Sequence, residues 1–156
     1  FDAECRARFL DAHHAAARRE YEGWMDTADG ALALLVLLDQ IPRNVFRDSG
    51  HAFATDALAR HYATRAIDAG FDADVDPVLR LFFYLPFEHA EELADQDRAL
   101  ALFIALISSL VQLLPTKLYE MEMPVAPAIE LTARPQATSP PRINAAVRCG
   151  IPVLVS

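Results

Sequence analysis

Two polar clusters interrupt otherwise apolar stretches of this chain: LLDQIPRNVFR over residues 37–47 and FYLPFEHAEELADQ over residues 83–96. The first gathers Asp39, Gln40, Arg43, Asn44 and Arg47 around Pro42; the second gathers Glu88, His89, Glu92 and Asp95 behind Pro86. An unpaired charge among large apolar side chains costs several kcal/mol, so these groups are either paired or at work. One chemistry they offer is acid–base: Glu88 or His89 moving a proton while the Arg43 guanidinium orients an anionic substrate. The other reading is structural. Pro42 has no amide hydrogen and leaves helix carbonyls unpaired, and a guanidinium there can bridge to Asp39 or cap those carbonyls. Pro86 likewise frees the carbonyl near Phe82, and Glu88 and His89 sit one turn from Glu92. The structural reading is preferred, because buried polar networks also serve to fix register and kinks. The two readings part on whether Asp39, Arg43, Glu88, His89 and Glu92 line one solvent-reachable pocket.

Other site chemistries find little footing. The five glycines follow neither GxGxxG nor GxxxxGK, so the usual phosphate-cradling loops are absent. No serine sits in GxSxG, and neither Cys5 nor Cys149 has a neighbouring His to favour a thiolate. Asp72, Asp74 and Asp76 alternate like the start of a calcium loop, but Pro77 stands where that loop needs glycine and Phe83 where it needs a bidentate Glu. Glu88, His89, Glu91, Glu92, Asp95 and Asp97 are dense, with His13 and His14 as possible additions, yet paired Glu-x-x-His motifs are missing. A solvated acidic helix start explains that patch better than a metal, so neither metal nor cofactor is expected.

The elements that must position these groups read as helices throughout. Cys5, Phe9, Ala12, Ala16 and Ala17 recur at helical spacing in a first helix over residues 2–24. Asp26, Thr27 and Asp29 are turn and N-cap residues, and residues 31–38 follow as a run too apolar to face water, ending or kinking at Ile41 before Pro42. After a loop at Ser49 and Gly50, Thr55 caps a third helix with Leu58, Tyr62, Ala66 and Ala69 inward and Gly70 as its stop. Asp76 and Pro77 open a fourth, and a fifth starts near Leu93 or Asp95 and runs to Leu114. Five helices on short connections make an all-α bundle or short solenoid of antiparallel pairs. Residues 99–116 carry no charge, but Ser108, Ser109, Gln112 and Pro115 favour a buried helix over a membrane span.

Composition changes at Pro115. Residues 1–114 hold 10 arginines against 19 acids, whereas residues 115–156 hold four bases, three acids, the sole lysine and seven of the ten prolines. The expected organisation is therefore an all-α domain over 1–114 and a Pro-rich, irregular tail over 115–156 that contributes little to folding. A net charge of −8 repels phosphate backbones and anionic lipids, so nucleic acid and membrane are unexpected partners. Two cysteines at opposite ends suggest no disulfide framework and fit a reducing cytoplasm. With no signal peptide and no initiator Met at Phe1, the chain is expected to be a fragment.

The order DQIPRNVFR, HAFATDALA, GFD and FFYLPFEHAEELADQDRALALF resembles the bacterial domain of unknown function 924 family over about residues 1–103. That resemblance implies an α-helical, tetratricopeptide-like fold and names no activity. The family's upstream Phe-Trp-Phe-like helix is not found before Phe1, and the sequence departs from the family beyond Phe103. Helix pairs without catalytic motifs point first to a binding or interaction module for a protein, peptide or small molecule. The alternative is a small-molecule enzyme built on Arg43, Glu88 and His89.

Overall fold

The computed structural model describes residues 2–120, with side chains to residue 112, and the tail beyond lies outside the described residues. Those residues are helical with no strand: α1 Asp2–Ala17, α2 Ala28–Leu35, a π-helical turn Val36–Gln40, α3 Ile41–Val45, α4 Asp56–Asp68, α5 Leu81–Glu88 and α6 Leu93–Glu120. Short 3-10 turns occupy Glu22–Asp26 and Gly50–Phe53. Because α2, the π turn and α3 follow one another without a break, the helical rods number five, as the sequence suggested.

The middle rod is the core. Ala31, Leu32, Leu34, Leu35, Leu38 and Ile41 are almost completely buried, which is why the run over residues 31–38 shows no polar face. It packs against α1 on one side and against α4 and α5 on the other, while α5 also packs on α6. Polar ties at the far end of the rod hold α1 in place. Arg6 donates to the carbonyl of Val45, and Arg47 pairs with Asp2 at 3.1 Å.

Local signals explain most of the boundaries. Thr27 accepts from the Gly30 amide at 3.1 Å and caps α2, as its residue type predicts. At the end of α4, Gly70 takes φ of 79°, the Gly70 amide donates to Ile67 at 2.9 Å and the Phe71 amide to Ala66 at 3.0 Å. That is a Schellman stop, which needs the left-handed conformation glycine adopts freely. On the inner stripe of α4, Tyr62 and Ala66 are fully buried with Ala59 and Ala63, whereas Ala69 is exposed.

Several expectations are corrected. The first helix ends at Ala17 and not near Trp24: Arg19 turns the chain with φ of 63°, a left-handed arginine that no glycine announces. Of the two outcomes expected at Ile41, an end or a distortion, the second holds: a π turn over Val36–Gln40 precedes Pro42 and the helical path runs on to Val45. Residues 50–53 form a 3-10 turn in place of a plain loop. Asp76 caps a turn by accepting from the Val78 amide at 2.9 Å, and the fourth helix begins only at Leu81. The last helix passes Leu114 and Pro115 to reach Glu120. Among the described residues no helix is long and apolar enough to cross a membrane. Instead of being wholly buried, α6 keeps Leu100, Ile104, Ile107 and Val111 more than half exposed.

His13 illustrates how the core depends on pH. Its side chain is buried in α1 and Nδ1 donates to the Leu37 carbonyl at 2.9 Å; burial pushes its pKa below the ordinary value of 6.5. The unfolded chain then binds a proton that the folded chain resists, so stability rises with pH across that interval. Stability contributed by His13 is therefore complete above about pH 6.5 and is lost as pH falls through the window below it. His13→Gln keeps an amide donor for Leu37 and is expected to flatten the melting temperature between mildly alkaline and acidic pH. An unchanged pH slope in that variant counts against the assignment.

Candidate functional site

A proline inside a buried helix strips its preceding turns of a donor, and the π turn doubles the problem. In α-register the Pro42 nitrogen would serve Leu38, and in π-register, which Ile41 adopts by donating to Val36, it would serve Leu37. Both carbonyls receive side-chain donors from other elements instead. His13 Nδ1 donates to Leu37 at 2.9 Å, and Thr55 Oγ1 donates to Leu38 at 2.5 Å. The next two are served from within the rod: Arg43 Nη1 donates to the Asp39 carbonyl at 2.8 Å, and Asn44 Nδ2 to that of Gln40 at 2.9 Å. Thr55 thus precedes α4 without capping it by its side chain, since its hydroxyl is turned to Leu38.

Asp39 is the centre of the second layer. Its side chain is 2% exposed and the carboxylate carries three partners. Gln40 Nε2 donates to Oδ2 at 2.6 Å, while Oδ1 takes Arg43 Nη1 at 3.2 Å and His89 Nδ1 at 2.9 Å. Arg43 continues outward with a two-pronged pair to Asp56, 2.9 and 3.1 Å, at the first turn of α4. A guanidinium fork can meet both Asp56 oxygens while holding Asp39, which a lysine ammonium cannot reproduce.

His89 caps the C-terminus of α5 and reaches back across 50 residues of sequence to Asp39. A carboxylate only accepts, so Nδ1 carries the hydrogen and Nε2 is turned the other way. The Nε2 atom lies 3.3 Å from Glu88 Oε2, but the two are not aligned to bond, and both are buried atoms without a hydrogen-bond partner. Beyond them opens a cleft of about 390 Å³ lined by Phe53, Asp56, Arg60, His89, Glu91 and Glu92. Arg60 faces Glu92 at 3.8 Å and Asp95 at 3.4 Å across its rim.

The two sequence clusters therefore meet. Asp39, Gln40, Arg43 and His89 form one bonded network and Glu88 stands beside the outer nitrogen of His89, but of the five residues on which the two readings turn, His89 and Glu92 line the cleft while Asp39, Arg43 and Glu88 do not. Asp95 joins only through Arg60. Asn44 is internal, 2% exposed, with its Oδ1 unpartnered. Arg43 spends Nη1 on Asp39 and both Nη1 and Nη2 on Asp56, so it braces the site, a role different from the expected one of orienting an anionic substrate. Asp56, Arg60 and Phe53 were not singled out from sequence. Asp56 and Arg60 look like ordinary first-turn and solvent-face charges of α4, and nothing local shows that α4 runs beside the α5–α6 junction.

A family model, described as bacterial protein of unknown function (DUF924), matches residues 1–131, further than the motifs alone reach, and the chain belongs to that family. A solved structure from Agrobacterium tumefaciens, described as protein of unknown function ATU0120, is 55% identical and superposes with a TM-score of 0.67. The match covers 68% of this chain and 60% of that one, so this chain spans under two thirds of that protein's length. No curated protein matches.

Removing the brace should expose the cost of the buried carboxylate. Arg43→Met leaves Asp39 with one cation-side partner fewer and is expected to lower unfolding free energy by about 3 kcal/mol, with Arg43→Lys recovering part of it. Urea denaturation measures both. If Arg43→Met comes within about 1 kcal/mol of the parent protein, Asp39 is not held as described.

Proposed function

We propose that the chain carries a small-molecule site in which His89, oriented by Asp39, serves as the acid–base group at the α5–α6 junction. The observation that carries this reading is the pairing of Asp39 Oδ1 with His89 Nδ1 at 2.9 Å while Nε2 stays unpartnered beside a cleft. An acid that fixes the tautomer of an imidazole and stabilises its charged form is the arrangement by which many enzymes move protons. Glu88 Oε2, 3.3 Å from Nε2, is placed to pair with the ring when it carries both hydrogens. Arg43 and Asp56 then act as positioning residues behind the dyad.

The interaction-module reading rests on a different face. Leu100, Ile104, Ile107 and Val111 recur at heptad spacing along α6 and are more than half exposed, a pattern that suits a helical partner. A tetratricopeptide-like, concave arrangement of helix pairs and a cytoplasmic setting belong to that reading as well. The acid–base site is favoured because it accounts for buried, costly groups, whereas apolar side chains on a surface helix need no function to explain them.

Turnover across a panel of small esters, amides and amines, followed by His89→Gln on whichever substrate reacts, tests the proposal. General acid–base contributions predict a loss of about 10²- to 10⁴-fold in kcat with the fold intact by circular dichroism. Undiminished turnover by folded His89→Gln overturns the role given to His89.

A further inference from the structure

α6 carries two apolar stripes, and only one of them is accounted for by the fold. On the inward side Ala99 and Leu106 are buried, and Leu102, Phe103 and Leu110 pack against the core, where α6 lies on α5. Leu100, Ile104, Ile107 and Val111 face outward and are 60, 56, 58 and 55% exposed. Single apolar side chains on a surface need no partner, but four in one unbroken line make a contiguous patch of the kind that marks an interaction face. We infer that this stripe is the contact between two copies of the chain, paired antiparallel along α6. The inference is independent of the acid–base reading of His89, and it gives an occupant to the face on which the interaction reading rests.

Spacing and charge both favour a second copy as the occupant. The steps between members of the stripe are 4, 3 and 4 residues, which read the same in either direction. A copy laid antiparallel therefore sets Ile104 against the partner's Ile107 and Leu100 against the partner's Val111, a contact closed by a two-fold axis. A net charge of −8 makes copies repel over most of their surface, whereas residues 99–112 carry no charge at all. Different helices that recognise one another are commonly sorted by charges flanking the seam. Here the flanking places hold Ala101, Ser108 and Gln112, all exposed and uncharged, so nothing selects a foreign partner and two of the three are small enough for close approach. Asp97 supplies the direction. It continues the stripe one step before Leu100, so a parallel pair would set two carboxylates against each other, while an antiparallel pair carries them to opposite ends. Because α5 already holds α6 in helical form, association does not also have to meet the cost of forming the helix.

Sedimentation equilibrium of the whole chain over a wide range of concentration tests the pairing. The expected result is a reversible equilibrium between monomer and dimer. Ile104→Glu alters an exposed position, so the fold is expected to stay intact by circular dichroism while dimerisation weakens at least about tenfold. Ile107→Lys alone should weaken it as well. The double variant I104E/I107K brings opposite charges together across an antiparallel seam and should recover part of the loss, which a parallel seam, with like charges meeting, would not allow. A whole chain that stays monomeric overturns the inference, and that is the result if its own residues 113–156 or a different protein cover the stripe. A dimer undiminished by Ile104→Glu overturns it too, because the copies then meet elsewhere. So does a double variant that associates no more tightly than Ile104→Glu alone.

Discussion

A carboxylate on a side chain only 2% exposed is the constraint around which this protein is arranged. Taking an ion out of water costs several kcal/mol even after relaxation, and the cost is offset only when every lone pair finds a donor in good geometry. Asp39 finds its donors from three places at once: its neighbour Gln40, Arg43 one turn on, and His89 at the end of α5. Each of these is then tied to something else. Arg43 reaches Asp56 on α4, so the middle rod, α4 and α5 are joined through a single acid whose loss would leave several buried polar groups without partners.

The π turn makes the arrangement possible. Where a regular helix through Pro42 would leave carbonyls orphaned in the core, this segment accepts donors from His13 on α1 and from Thr55 ahead of α4. Single π turns occur frequently at functional sites, where one extra residue per turn redirects the side chains that follow. The carbonyls of Leu37 and Leu38 thus become points of attachment for two other elements, and the same short stretch that holds the fold together also aims Asp39 at His89. Stability and site geometry are linked here through backbone groups that a proline set free.

Much of the fold was legible in the sequence because its signals are local. Helical periodicity, the Thr27 cap and the Gly70 stop each act within a few residues, and the helical class follows from them. The misplaced boundaries have local causes that leave no compositional mark. A left-handed Arg19 ends α1 without a glycine, and a π turn shows itself only as a proline where a helix should break. The candidate site was half legible. Both clusters stood out because charge in apolar surroundings is costly, but their convergence depends on α5 returning to the middle rod, a contact 50 residues apart in sequence. Asp56 and Arg60 stayed hidden for the same reason, since their residue types suit a solvent face and only the packing of α4 gives them a site to border.

The dyad itself can be observed directly. Long-range proton–nitrogen spectra of the histidine rings at mildly alkaline pH distinguish which nitrogen of His89 carries the hydrogen. A hydrogen bond donated to Asp39 requires a protonated Nδ1, slow to exchange with water, and a lone pair at Nε2. The opposite tautomer at His89, with the hydrogen on Nε2 and a bare Nδ1, would contradict the pairing on which the site is built.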